Sequence, residues 1–132
     1  MTGKFTGATD VKREQLPWGS LAWFSSPIVS KASNLVVLEV TLKPSGAHSF
    51  HKHPKQEEVI YVIEGEIEEW IDRGKRILRP GDSAFIAPDV VHASFNLSNQ
   101  NARLLAILGP CIGTEGYELV DVADQEPWAS LK

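Results

Sequence analysis

A chain of 132 residues has room for one domain of ordinary size and can bury a hydrophobic core without disulfide help. Its formal net charge of −4 excludes the basic face that a nucleic-acid partner demands. It has no apolar run of about 18 residues and no basic amphipathic stretch, so no membrane association is expected.

The first 33 residues are irregular. They read as an N-terminal arm with the first strands, and Trp18, Trp23 and Phe24 beside Pro17 and Pro27 suggest packing on the body of the protein or on a partner. The N-terminal stretch is polar and lacks the apolar segment of a signal peptide, and Cys111 is the single cysteine. Both features lead to the expectation of a cytoplasmic protein, with Cys111 a small buried hydrophobe. From residue 34 onward strands dominate. Asn34 to Lys43 is rich in Val and Leu and is broken by Pro44-Ser45-Gly46. Glu58 to Glu64 is β-branched and aromatic. Gly65 ends it, Glu66 to Asp72 follows at once, and the pair reads as a hairpin. Turns at Arg73-Gly74-Lys75, Pro80-Gly81-Asp82, Pro88-Asp89 and residues 98–101 separate strands at Ser83 to Ala87, Val91 to Leu97 and Ala102 to Leu108. Residues 34–110 therefore form the barrel core of a single domain, and residues 111–132 a C-terminal extension in which Tyr117 to Val122 is a last edge strand and Pro127-Trp128 an anchor. Closely spaced turns without an amphipathic helix predict an all-β sandwich or barrel.

Strand side chains alternate between faces. Glu58, Ile60 and Val62 share one face and Val59, Tyr61 and Ile63 the other, so both faces are apolar and a second cover is expected, from the arm or a second subunit. Tyr61 is read as packing or interface. His92, Ser94 and Asn96 form a polar stripe opposite Val91, Ala93, Phe95 and Leu97. Such a stripe lines a site. By the same parity His48 falls on the face opposite His51 and is read as a surface or loop residue, and Glu64, Glu66, Glu68 and Glu69 as a solvated edge. Glu39 and Thr41 interrupt an apolar strand, with outward-facing and pocket positions both open.

His51 and His53 are two apart, which presents both imidazoles on one face with Cα atoms roughly 6.5–7 Å apart. Two imidazoles so placed can reach one ion, with a carboxylate and a further imidazole from neighbouring strands. Such nitrogen-rich sets suit iron, manganese, cobalt, nickel or zinc and suit calcium or magnesium poorly.

The string His51-x-His53-x4-Glu58-x6-Gly65 resembles the first motif of the cupin superfamily, in its small single-domain form, and Gly81, His92 and Asn96 resemble the second. Fifteen residues lie between Gly65 and Gly81. Ala87 and Asp89 depart from the second motif, where proline and glycine are usual. The resemblance implies a double-stranded β-helix, a jelly-roll barrel, with His51, His53, Glu58 and His92 as ligands of one divalent transition metal ion. The spacing to Gly65 favours Glu58 over Glu57. A small metalloenzyme acting on a small oxygen-rich molecule is the expectation, with oxidation by dioxygen first. The alternatives are an isomerase or lyase acting through a metal-bound enolate of a sugar or hydroxy acid, and a non-catalytic metal-dependent small-molecule binding protein. Apolar outer faces predict a homodimer.

Overall fold

Strict alternation of buried and half-buried positions along Val36–Leu42 and Ala102–Gly109 gives two strands that each turn one apolar face inward. The computed structural model describes residues 2–132 and, among them, eleven strands. These are β1 (Lys12–Leu16), β2 (Gly19–Ser25), β3 (Val36–Leu42), β4 (Ala47–Lys52), β5 (Glu57–Glu64), β6 (Ile67–Ile71), β7 (Gly74–Leu78), β8 (Ser83–Ile86), β9 (His92–Phe95), β10 (Ala102–Gly109) and β11 (Val120–Asp121). One helical turn, α1 (Pro27–Ser30), follows β2, and its first turn is capped by the Ser26 hydroxyl.

The strands make two antiparallel sheets, ordered β1-β2-β3-β10-β5-β8 and β11-β4-β9-β6-β7. From β3 onward the chain crosses between the sheets at almost every connection, as in a jelly roll. That crossing overturns the hairpin expected across Gly65. β5 pairs with β10 and β8, whereas β6 pairs with β9 and β7. Gly65 takes φ +76, and a Cβ there would stand 2.6 Å from the Asn101 carbonyl oxygen, so the residue makes a tight corner between sheets. The true hairpin is β6–β7, where Ile71 faces Gly74 and Asp72 adopts φ 54 in a two-residue loop.

The N-terminal segment is more regular than its sequence suggests. β1 and β2 form a hairpin that continues the larger sheet beside β3, with Leu21 opposite Val40. β1 has no apolar alternation to announce it, since Lys12 to Gln15 are all exposed. Between the sheets lies the main core, with Val36, Leu42, Val62 and Ile67 almost fully buried. A second cluster covers the outer face of the smaller sheet. Phe50, Trp70, Val91, Ala93 and Val122 pack there, with Trp128 and Leu131 of the C-terminal tail laid against them.

Three polar residues differ from their expected positions. Glu68 and Glu69 are buried and do not belong to a solvated edge. Glu68 accepts a hydrogen bond from Trp70 Nε1 at 2.9 Å and pairs with Lys132 at 2.9 Å. Asn96, expected in the site, instead ties strand ends together. Its Nδ2 donates to the carbonyls of Leu42, Lys43 and Gln100 at 2.7–3.1 Å, and its Oδ1 accepts from the Ser98 amide. Replacing Asn96 by Ala removes these hydrogen bonds, among them the buried one to the Leu42 carbonyl, and should cost about 1–3 kcal/mol of stability. A fall in the urea midpoint at unchanged slope would show it.

Candidate metal centre and its cavity

His51 lies near the end of β4 and stands directly opposite His92 on β9. His53 follows one residue beyond β4, and Glu58 is the second residue of β5. All four are buried, whereas Glu57 is exposed. One ligand atom from each of His51, His53, Glu58 and His92 lies within 4.8 Å of the other three. The fold thus brings together the four residues that the resemblance implies.

The rings are held by the backbone. Nδ1 of His51 donates to the Ser49 carbonyl at 2.7 Å, that of His53 to Glu118 at 2.8 Å, and that of His92 to Val90 at 3.0 Å. A carbonyl oxygen can only accept, so each Nδ1 carries hydrogen and each neutral ring turns a bare Nε2 lone pair inward. The carbonyl of Glu118 is itself fixed by Gln56. Its Oε1 accepts from the Glu118 amide, and its Nε2 donates to the carbonyls of Pro110 and Gly116 at 2.7 and 2.9 Å.

The donor set fits a metal ion on a structural ground. Glu58 Oε1 stands 2.8 Å from His92 Nε2 and 3.4 Å from His53 Nε2. With neutral rings these are acceptors facing acceptors, and Glu58 Oε1 and His92 Nε2 have no directional hydrogen bond although both are buried. A cation or a proton must lie among them. Burial would raise the Glu58 carboxyl, but the facing imidazoles of His53 and His92 hold it well below the usual carboxylate range. Burial lowers His53, yet contact with the Glu58 charge leaves it raised overall. His51 is pushed well down by burial and by the neighbouring imidazoles of His48 and His92.

His48 is not a surface residue. In the β4–β9 ladder His48 faces Ser94 and His51 faces His92, so three steps on one strand match two on the other. That extra residue is a β-bulge, and it returns His48 to the inner face. Its ring stacks on His51 at 3.8 Å between centroids and on Trp18 at 5.9 Å. Burial brings the His48 pKa down to about 4. No glycine marks the bulge, so parity counting could not reveal it.

The cluster opens into a cavity of about 280 Å³. Leu38, Val40, Ile60, Leu104 and Ala106 form an apolar part of its wall. The β1–β2 hairpin adds Glu14, Leu16, Trp18 and Leu21, and the tail adds Tyr117. Burial raises the Tyr117 phenol, and the charges of Glu14 and Glu115 push it the same way. Glu14, Trp18 and Tyr117 were not singled out as site residues. Trp18 had the aromatic cluster as a signal, whereas Glu14 and Tyr117 had none. Ser94 also lines the cavity, as the polar stripe predicts.

Comparison with known proteins adds three kinds of likeness. The family profile described as "Cupin domain" matches residues 38–108. Protein SchB of Streptomyces halstedii is 31% identical over 120 residues, covering 91% of this chain and 87% of SchB. Polyketide synthase CurC of Streptomyces cyaneus is 29% identical over 92 residues, 70% of this chain, which spans about 60% of CurC. Among solved structures, KdgF from Halomonas sp. superposes with a TM-score of 0.73 at 19% identity, covering 83% of this chain and 94% of KdgF. That likeness is one of fold.

The carbonyl contacts make a prediction about protonation. Long-range nitrogen–proton NMR of the metal-free protein at about pH 8 should find His51 and His92 as Nδ1–H tautomers. Nε2–H forms would contradict the arrangement.

Proposed function

The chain belongs to the cupin domain family, and on that premise we propose that it is a small metalloenzyme that uses His51, His53, Glu58 and His92 to hold one divalent transition metal ion. Its substrate would be a small molecule with oxygen atoms at one end and an apolar body. The observation that carries this reading is the buried cluster of three imidazoles and a carboxylate at the wall of a largely apolar cavity. A divalent metal in that donor set supplies Lewis acidity at a substrate oxygen. The chain's own residues orient and enclose. Carbonyls of Ser49, Val90 and Glu118 fix the three rings, and Leu38, Val40 and Leu104 exclude water from the ligand's body.

Proton transfer, in an isomerase or lyase, is the reaction class best supported. Tyr117 lies beside His53 and Glu14 also lines the cavity, so groups able to accept or give a proton border the space a substrate would fill. Oxidation by dioxygen, the first expectation, rests on the ligand set alone. CurC is named a polyketide synthase, which is consistent with a carbon skeleton bearing several oxygens. A cytoplasmic setting belongs to the same proposal.

A second copy is the proposed partner. Val37, Ile107, Val59 and Phe85 lie side by side in register across the outer face of the larger sheet, and Phe85 is 57% exposed. No helix among the described residues is long and apolar enough to cross a membrane.

Elemental analysis of protein purified without affinity nickel should find about one transition metal ion per chain, lost in His51→Ala and in His92→Ala. Full retention in either variant would sink the ligand assignment. Because contact with Glu58 raises His53 in the metal-free protein, a proton competes with the ion there. Metal affinity should therefore be complete above that pKa and fall as pH drops through it, measured by chelator competition between about pH 8 and about pH 5.5. Oxygen uptake matching substrate loss would replace the proton-transfer reading by oxidation. Light scattering at micromolar concentration should show a dimer that Phe85→Asp dissociates, and wild-type protein found only as monomer counts against the interface.

A further inference from the structure

Glu69 is a buried acid that the metal cluster does not use. It sits on β6 directly opposite Ser94 on β9, is 3% exposed, and faces inward with Ile67. Its Oε1 lies 2.5 Å from Ser94 Oγ, and its Oε2 is buried without any hydrogen-bond partner. The neighbour on its other side, Arg76 of β7, is exposed and makes no ion pair with it. Ser94, in contrast, lines the cavity.

We propose that Glu69 and Ser94 act as a pair that presents a hydroxyl hydrogen to an oxygen atom of the molecule bound in the cavity, Ser94 touching that molecule and Glu69 positioning Ser94. The inference deepens the proposed function and rests on its reading of the cavity as the substrate site. A serine hydroxyl has one hydrogen and two lone pairs. Beside a carboxylate, Ser94 would donate that hydrogen to Glu69 and show the cavity only lone pairs. Beside a carboxylic acid, Ser94 accepts from Glu69, and its own hydrogen is free to point into the cavity. The surroundings select the acid. Oε2 has neither solvent nor a cation to support a charge. Burial pushes the carboxyl well above the usual carboxylate range, the Ser94 hydrogen bond pulls it part of the way back, and the Glu58 charge pushes it up again.

Position adds a substrate requirement. Ser94 lies two residues from His92 on the same face of β9, roughly 6.5–7 Å along the strand. A hydrogen donor at that distance suits a carbonyl, enolate or phenolate oxygen on a ligand anchored at the cluster.

Carbon NMR of protein labelled at the glutamate carboxyl carbon, with Glu69 assigned by its loss in Glu69→Gln, tests the pair. The Glu69 carboxyl should be protonated at neutral pH both without metal and after loading with zinc; an ionised carboxylate in either state overturns the proposal. The probe 4-nitrocatechol, followed by its absorbance, should bind the zinc-loaded protein and shift the Glu69 signal. Ser94→Ala should weaken that binding about five- to twentyfold and abolish the shift. Glu69→Ala should weaken it likewise, and Glu69→Gln, whose amide can donate to Ser94 Oγ, should restore most of the loss. Unchanged probe affinity in folded Ser94→Ala overturns the pair, and that variant decides if the Glu69 variants do not fold. Wild-type protein that takes up no zinc defeats the functional reading instead, and the carboxyl signal then still decides the state of Glu69.

Discussion

Three backbone carbonyls, those of Ser49, Val90 and Glu118, hold the Nδ1 hydrogens of His51, His92 and His53 and leave three Nε2 lone pairs turned toward the Glu58 carboxylate. This arrangement is unfavourable in itself, since acceptors face acceptors in a dry interior. It persists because the carbonyls belong to different parts of the fold that cannot relax together. Ser49 is on β4, Val90 precedes β9, and Glu118 lies in the C-terminal tail. The site is thus a donor set that a cation satisfies, and much of the architecture serves to hold it.

The tail shows this most plainly. Gln56 is almost fully buried and binds Pro110, Gly116 and Glu118, which seats the tail beside His53. β11 then pairs with β4 at His51 and Lys52, and Val122, Trp128 and Leu131 cover the outer face of the smaller sheet. What supports this sheet from outside is therefore the chain's own end. Among the described residues the larger sheet has no such cover over Phe85, which is exposed.

The cavity follows from the opposite sheet. β3, β5 and β10 supply Leu38, Val40, Ile60, Leu104 and Ala106, so the space beside the cluster is apolar except where single side chains interrupt it. Those interruptions are the polar groups that a molecule in the cavity would meet. Glu14 and Tyr117 come from the two ends of the chain, Ser94 is backed by Glu69, and His48 is wedged between Trp18 and His51. Each has a different electrostatic setting in one small volume, which is how one metal site can be adapted to one reaction among the several its ligands permit.

The four clustered residues were legible through the resemblance of the His51-x-His53-x4-Glu58-x6-Gly65 string and of His92 to the cupin motifs, and the all-β class through closely spaced turns and strand parity, a local property with a period of two. The same rule failed at His48, where a bulge shifts the register by one residue, and at Gly65, where a corner between sheets looks like a hairpin turn. It could not separate Glu69 from Glu66, because burial of a glutamate depends on which strand lies opposite, and Ser94 is 25 residues away in sequence. Nor could it show Asn96 as a tie between strand ends rather than a site residue. Motif spacing, read through the family resemblance, determined which side chains could meet at one ion. Only the crossing of strands between two sheets decided what surrounds them, because the neighbours Glu14, Trp18, Glu69 and Tyr117 arrive from distant parts of the chain.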